Sequence, residues 1–177
     1  TGIYDLNDGL AHFVIAKYAS AHPHLFLDHW GKPLFTILVS PFTQLGIKGV
    51  LLFNTLVFIA SARFLVLLGK RLELPQMWAA PIFLALAPAY YQVMMGGLTE
   101  VLFAGIVVAG LYYFSKEKYV LAALLITWLP FARSEAYFVV PFFALAFVAK
   151  RQWLPLVLLG VGPFVMSILG WFVFDDF

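Results

Sequence analysis

The sequence predicts an all-α polytopic membrane protein. Of its 177 residues, 63% are hydrophobic and only 11% are charged, whereas soluble domains carry about 25% charged residues. The apolar runs are about 17 to 22 residues long, and a helix of about 20 residues crosses a hydrocarbon core of about 30 Å. These runs lack the alternation of apolar and polar residues that marks membrane β-strands.

Composition also excludes several classes of function. The net charge of +2 is too small to indicate nucleic-acid binding, and the absence of cysteine excludes a disulfide framework and thiolate chemistry. No glycine-rich phosphate loop or nucleotide fingerprint is present. The sequence begins at Thr1 with no signal-peptide pattern. We therefore expect a fragment that lacks the first transmembrane helix and a C-terminal part of a longer protein.

The first 46 residues are predicted to form an external loop with two interfacial helices. Asp5 or Asn7 is expected to cap a helix that runs to about residue 20 and ends before Pro23. This helix is too polar to span a membrane and is predicted to lie in the interface. Residues 33–46 are apolar but too short for a span, which favours a second interfacial or re-entrant helix.

Residues 47–177 are predicted to form a helical bundle with about six transmembrane helices, and with the loop they make a single domain, residues 1–177. Four runs have the length of a span: residues 49–69, 77–95, 98–114 and 153–174. Residues 119–150 form either one helix of about 31 residues or two short spans broken near residues 130–135. Two spans put all three basic pairs on one side, as the positive-inside rule requires: Lys70 with Arg71, Lys116 with Lys118, and Lys150 with Arg151.

The same topology gathers most of the acidic residues on the opposite, non-cytoplasmic face. Those predicted there, together with one arginine, are Asp5, Asp8, Asp28, Glu100, Arg133, Glu135, Asp175 and Asp176. Charges at the depth of Glu100, Arg133 and Glu135 are costly and usually line an internal cavity. Arg133 and Glu135 equally suit a structural ion pair between two helix ends.

The polar start of the chain carries candidate catalytic groups. Asp5, Asp8 and His12 recur at a spacing that places them on one helix face. Asp5 could serve only as a helix cap, and Asp8 could simply complement the helix dipole. An acid in this position could also act as a general base at the mouth of a membrane cavity. The histidine spacing does not match a transition-metal site, but Asp5 and Asp8 could hold Mg²⁺ or Mn²⁺ with a substrate phosphate.

Five short motifs follow one another in an order that is similar to the motif order of one enzyme superfamily. They are Asp8-Gly9-Leu10-Ala11-His12, His22-Pro23, Trp30-Gly31-Lys32-Pro33, Leu98-Thr99-Glu100 and Ala132-Arg133-Ser134-Glu135. Together with the predicted topology, they resemble the GT-C superfamily of integral-membrane glycosyltransferases. The resemblance covers nearly the whole chain and is strongest to the protein-mannosyltransferase-like and lipid-A-arabinose-transferase-like branches.

This resemblance implies transfer of a sugar, with inversion, from a polyprenyl-phosphate-linked donor to a hydroxyl of a lipid, glycan or protein acceptor. It implies a multi-pass protein whose site faces the non-cytoplasmic side, and we expect the bacterial inner membrane. Asp8 or Asp5 would be the catalytic acid residue. Many members carry an Asp-Glu pair, whereas Gly9 follows Asp8 here, so the choice stays open. The residues expected to bind the substrate and the donor phosphate are His12, Lys32, Glu100, Arg133 and Glu135.

Two other functions remain as alternatives. A secondary transporter would use Arg133 and Glu135 as an ion site beside broken helices. It would also show two related halves, and the sequence contains no internal repeat. A non-catalytic lipid-binding membrane protein would keep the fold alone. The transporter alternative also leaves the long polar stretch of residues 4–33 without a role.

Overall fold

A computed structural model describes residues 7–174 of the chain, and this part consists of helices joined by short connections, with no strand. The predicted all-α class is confirmed. The ten α-helices are α1 (Asp8–Tyr18), α2 (Pro33–Thr43), α3 (Ile47–Arg71), α4 (Ala80–Leu86), α5 (Pro88–Met95), α6 (Glu100–Ser115), α7 (Tyr119–Ile126), α8 (Ala136–Ala149), α9 (Trp153–Leu158) and α10 (Val161–Phe174). Three 3₁₀ turns lie at Pro23–Leu27, Met77–Ala79 and Leu129–Phe131.

Two helical stretches between residues 7 and 174 are long and apolar enough to cross a membrane: α3, and α9 together with α10 as Trp153–Phe174. The predicted span at residues 77–95 is not straight, because its two halves, Met77–Leu86 and Pro88–Met95, are bent by 66°. The bend follows from Pro88, which favours an extended conformation in the residue before it, and Ala87 has ψ 115°. Counted as one span, this bent pair makes a third. The remaining apolar helices have 10–17 residues.

Residues 119–150 form two helices, as the charge distribution predicted. Helix α7 ends at Ile126, a 3₁₀ turn follows at Leu129–Phe131, and α8 begins at Ala136. Pro130 lies in the 3₁₀ turn, where its ring and missing N–H prevent regular helix. The break is therefore built into the sequence by a proline and by the charged residues that follow it.

The three basic pairs lie at one end of the helical bundle. Arg71 at the end of α3 donates a hydrogen bond from Nε to the carbonyl oxygen of Ser115, at 3.2 Å, which joins the ends of α3 and α6. The ring of Phe147, near the end of α8, lies 5.6 Å from that of Phe114 and 6.3 Å from that of Tyr119. We call this the basic end of the bundle, and its cations are Lys70, Arg71, Lys116, Lys118, Lys150 and Arg151.

A buried apolar cluster fixes the two N-terminal helices on the bundle. Phe13 of α1, Phe35 and Val39 of α2, Val50 of α3 and Leu102 of α6 all belong to it. Within a membrane such packing contributes through close contact more than through exclusion of water. The cluster holds the polar start of the chain against the end of the bundle that lies away from the basic end.

One side-chain hydroxyl closes the break between α9 and α10. Thr127 Oγ1 donates a hydrogen bond to the carbonyl oxygen of Leu159, at 2.8 Å, and accepts one from the N–H of Gly162, at 2.7 Å. A Cβ atom at Gly162 would lie 2.3 Å from the carbonyl oxygen of Thr127. Glycine at this position is therefore required for the close approach of α10 to the end of α7.

A buried asparagine in α3 holds the turn that precedes α6. The side-chain amide of Asn54 donates to the carbonyl oxygens of Met94 and Leu98, at 3.3 and 3.1 Å. Between them lies Gly97 with φ +70°, a conformation that glycine adopts at little cost. Asn54 thereby determines where the chain enters α6, whose first residue is Glu100.

Replacing Asn54 by leucine is expected to lower the free energy of unfolding by about 1–3 kcal/mol, because it leaves buried carbonyl groups without their donor. Thermal unfolding of the purified full-length protein in detergent measures the effect. Thr55→Val is the matched control, since the Thr55 hydroxyl bonds only to Leu51 within the same helix. Equal losses in the two variants would contradict the role assigned to Asn54.

Candidate functional site

A network of charges joins the start of α6 to the break between α7 and α8. Arg133 forms an ion pair through NH1 with Glu100 Oε1. It also makes two hydrogen bonds to Glu135, at 2.5 Å from NH2 to Oε1 and at 3.0 Å from Nε to Oε2. NH1 further donates to Thr99 Oγ1 at 3.3 Å. The predicted Arg133–Glu135 pair therefore exists, and Glu100 is its third member.

The positive charge of Arg133 is paired with carboxylates on two sides. The hydrogen bond to Glu135 raises the pKa of the Arg133 guanidinium above its usual value, and the same bond holds the pKa of the Glu135 carboxyl below its usual range. The Arg133 side chain is only 25% exposed, so the pair is shielded in part from water. One cation faces two carboxylates, which leaves the group of three with a net negative charge.

The turn before α2 is held in an unusual backbone conformation. Lys32 has φ +59°, which is uncommon for a residue other than glycine and tends to occur at functional sites. The preceding Gly31 donates its N–H to Asp28 Oδ1 at 2.8 Å, and its carbonyl oxygen accepts from the Thr36 hydroxyl at 2.8 Å. A Cβ atom at Gly31 would lie 2.7 Å from the side chain of Ile15. The backbone ahead of Lys32 is therefore fixed on several sides.

This turn brings Lys32 to the residues around the α7–α8 break. Its Nζ donates a hydrogen bond to Ser134 Oγ at 3.3 Å, although the two residues are 102 positions apart. Ser134 lies between Arg133 and Glu135, so the lysine reaches the edge of the charged network. Lys32 also acts on Glu135 electrostatically, and it helps to lower the pKa of that carboxyl.

His12 lies beside the same charges. Its side chain is buried, its ring makes an edge contact with Phe35 at 5.6 Å, and its Nδ1 is buried with no hydrogen-bond partner among residues 7–174. Burial lowers the pKa of the His12 imidazole below 6.5. Four charged residues also act on it: Asp8 and Glu100 raise the pKa, and Lys32 and Arg133 lower it. We use the name polar cluster for Asp8, His12, Lys32, Glu100, Arg133 and Glu135.

The buried His12 is expected to make stability depend on pH. Since its folded pKa lies below 6.5, the unfolded chain takes up a proton first as the pH falls, and stability is lost from about pH 6.5 downwards. One proton gives a slope of at most about 1.4 kcal/mol per pH unit. Thermal unfolding between pH 7.5 and 5 should show this loss, and His12→Gln should remove it.

His22 supplies the matched control for this measurement, because it is exposed. His22→Gln should keep the pH dependence of the wild-type protein. A His12→Gln variant that loses stability with acid as steeply as the wild type would show that another group titrates.

A groove of about 350 Å³ opens beside the polar cluster. His29, Lys32 and Ser134 line its polar side, and Met166 and Gly170 of α10 lie on its other wall. The lysine ammonium group thus faces both the charged network and an open space. A ligand with an anionic group and an apolar part would fit the chemistry of this lining.

A second groove of about 340 Å³ continues from the first and is almost entirely apolar. Leu27 lines both grooves, and Phe26, Ile37, Leu169 and Val173 line the second. The 3₁₀ turn at Pro23–Leu27 and α2 thus form one wall, and the helix α10 forms the other. The polar and apolar grooves together follow the interface between the N-terminal segment and the bundle.

The site residues predicted from sequence separate into two groups. Asp8, His12, Lys32, Glu100, Arg133 and Glu135 come together in the polar cluster. Asp5 forms the second group, because it lies outside the described residues 7–174. No three His, Asp or Glu side chains in the described range lie close enough to hold a metal ion. The Mg²⁺ or Mn²⁺ site suggested at Asp5 and Asp8 stays a prediction, because Asp5 falls outside that range.

Sequence reasoning assigned no role to four residues that position the polar cluster, although the last two stood within its motifs: Asn54, Thr36, Thr99 and Ser134. Asn54 could have been found, because a polar side chain within a transmembrane run is unusual and needs a partner. The other three have short hydroxyl side chains, which are common at helix ends and give no distinct signal.

No protein-family model matches the chain, and no curated protein or solved structure matches it significantly.

Proposed function

We propose that this chain is a GT-C-like glycosyltransferase domain, which moves a sugar from a polyprenyl-phosphate-linked donor to an acceptor hydroxyl. The observation that carries the proposal is the convergence of the polar cluster. Its members come from α1, the turn before α2, the start of α6 and the α7–α8 break, and one of them, Lys32, lines a groove that adjoins an apolar groove. A polar site that opens into an apolar groove suits a substrate with a charged phosphate and a long hydrocarbon chain.

Lys32 is the cation best suited to the donor phosphate. Arg133 is already held by two carboxylates, whereas Lys32 has no carboxylate within ion-pair distance among the described residues. Its ammonium group could therefore stabilise the charge that develops on the phosphate as the sugar leaves. In this proposal, Arg133 and its two glutamates position the site without binding the donor, and His12 lies buried beside them.

Asp8 is proposed as the general base. It is exposed in the first turn of α1 and acts electrostatically on His12. The carboxylate takes the proton of the acceptor hydroxyl while the acceptor oxygen bonds to the anomeric carbon. The bond from that carbon to the phosphate oxygen breaks, and polyprenyl phosphate leaves with the electron pair. Asp5 stays the alternative base.

The proposed location follows from charge. With the basic end in the cytoplasm, as the positive-inside rule predicts, the polar cluster faces the other side, which we propose is the periplasm of a bacterial inner membrane. The acceptor would be a lipid, a glycan or a protein on that side.

Lys32→Gln is the experiment that tests the phosphate site. Loss of one donor to a developing anion typically costs about 10²–10³ in rate, so release of polyprenyl phosphate from a labelled lipid-linked sugar should fall by about that factor. Full-length protein in liposomes is the material, and Lys17→Gln, an exposed lysine on α1, should keep full activity.

Two results would oppose the proposal. Accumulation of solute in the liposomes, with no release of polyprenyl phosphate, would favour a transporter. Binding of the lipid-linked sugar without turnover, in wild type and Lys32→Gln alike, would favour a non-catalytic lipid-binding protein.

A further inference from the structure

A single arginine lies inside the longest helix of the chain. Arg63 is in α3, which has 25 residues and is about 37 Å long at about 1.5 Å per residue. It precedes Lys70 by two helical turns, or about 10 Å along the axis. Its side chain is exposed, and no carboxylate of residues 7–174 lies within ion-pair distance of it.

Arg63 belongs to the outer face of α3. Leu52, Leu56 and Ile59 are 45%, 47% and 57% exposed, and with Arg63 and Lys70 they follow the helical repeat along one side. Asn54 and Ser61 lie on the buried side of the same helix. The outer face is therefore apolar for about three turns and then cationic for the two turns that lead to the basic end.

A charge in this position needs a partner. An arginine that faces hydrocarbon is energetically costly. Since α3 is about 7 Å longer than a hydrocarbon core of about 30 Å, its basic end extends beyond the core and Arg63 lies within reach of the headgroup layer. The planar guanidinium binds phosphate oxygens in pairs.

We propose that the outer face of α3 binds an anionic phospholipid. One acyl chain lies along Leu52, Leu56 and Ile59, and the headgroup phosphate lies between Arg63 and Lys70. Charge complementarity selects an anionic lipid over a zwitterionic one, whose own ammonium group would meet the same two cations. This site is separate from the polar cluster and does not depend on the proposed transferase activity.

Native mass spectrometry of the full-length protein tests the site. The probe is an equal mixture of phosphatidylglycerol and phosphatidylcholine with identical acyl chains. Each cation near a membrane surface contributes about 1 kcal/mol, so Arg63→Gln should reduce the preference for phosphatidylglycerol by about fivefold. Lys70→Gln should act in the same direction, and Arg63→Lys should keep most of the preference.

Lys48→Gln is the matched control, because Lys48 is exposed at the opposite end of the same helix. An equal loss of preference in Lys48→Gln, or no preference in the wild type, overturns the proposal. Thermal unfolding gives a second readout that also reports folding of each variant. Phosphatidylglycerol should raise the melting temperature of the wild type by more than it raises that of Arg63→Gln. An equal rise in both proteins overturns the proposal as well.

Discussion

Replacing Asp8 by asparagine is expected to abolish sugar transfer by the full-length protein while its expression and membrane insertion stay normal. The amide keeps the size of the side chain but cannot accept the proton of the acceptor hydroxyl. General-base catalysis contributes about 10²–10⁴ in rate, so turnover should fall by that factor. Release of polyprenyl phosphate from a labelled donor, measured with saturating acceptor, reports the loss.

Two further variants make this result specific. Glu117→Gln changes an exposed carboxylate beside the basic end and should keep full turnover. Asp5→Asn decides between the two candidate bases, since loss in that variant with normal turnover in Asp8→Asn would transfer the role to Asp5. Near-wild-type turnover in Asp8→Asn removes Asp8 from the mechanism.

Replacing Arg133 by glutamine is expected to cause the largest loss of stability. It removes the ion pair with Glu100 and both hydrogen bonds to Glu135, and it leaves two carboxylates close together without a cation. Breaking a fully buried pair costs about 3–5 kcal/mol. Because the Glu135 side chain is 53% exposed, we expect about 2–3 kcal/mol, measured by thermal unfolding in detergent.

A double-mutant cycle separates the ion pair from other effects of the substitution. Glu100→Gln combined with Arg133→Gln should recover part of the loss, and residues in direct contact typically show a coupling energy of about 0.5–3 kcal/mol. Arg133→Lys should rescue little, since a lysine cannot make the paired bonds to Glu135. Strict additivity of the two single variants would show that Glu100 and Arg133 act independently.

The position of the polar cluster could be predicted in outline because charge is expensive in a membrane. The three basic pairs required an extra crossing within residues 119–150, and that requirement placed the break at Pro130 to Glu135. The structure contains the break, and Arg133 meets Glu100 there. An apolar sequence makes its few charges highly informative, so the end of the bundle that they share is easier to predict than their contacts.

The directions of the helices could not be predicted in the same way. The hydropathy of residues 77–95 predicts one span, but it contains no information about the 66° bend at Pro88. The lengths of the apolar runs do not predict the lengths of the helices either. Only two helical stretches of the described chain, or three with the bent pair, are long and apolar enough for a span. Helices such as α6 and α7 are short because their charged or proline-containing neighbours end them.

The exact role of Lys32 also lay beyond the sequence. Its motif placed a lysine before Pro33, but its left-handed backbone depends on contacts of Asp28, Thr36 and Ile15 around Gly31. The hydrogen bonds of Asp28 and Thr36 to Gly31 are local, but Ile15 belongs to α1, and no local pattern encodes its contact with this turn. Arg133 stays a predicted ligand of the donor phosphate, but the two carboxylates that bind it make Lys32 the better candidate in our proposal.

The hydrogen bonds of the Thr127 hydroxyl affect how the chain can change direction between α9 and α10. In hydrocarbon no solvent replaces a lost helical hydrogen bond, so an interrupted helix normally stays buried in protein or next to a water-filled space. Here one oxygen atom serves as donor to Leu159 and acceptor from Gly162. The chain can therefore change direction between α9 and α10 while the carbonyl group of Leu159 and the N–H of Gly162 keep hydrogen-bond partners within the protein.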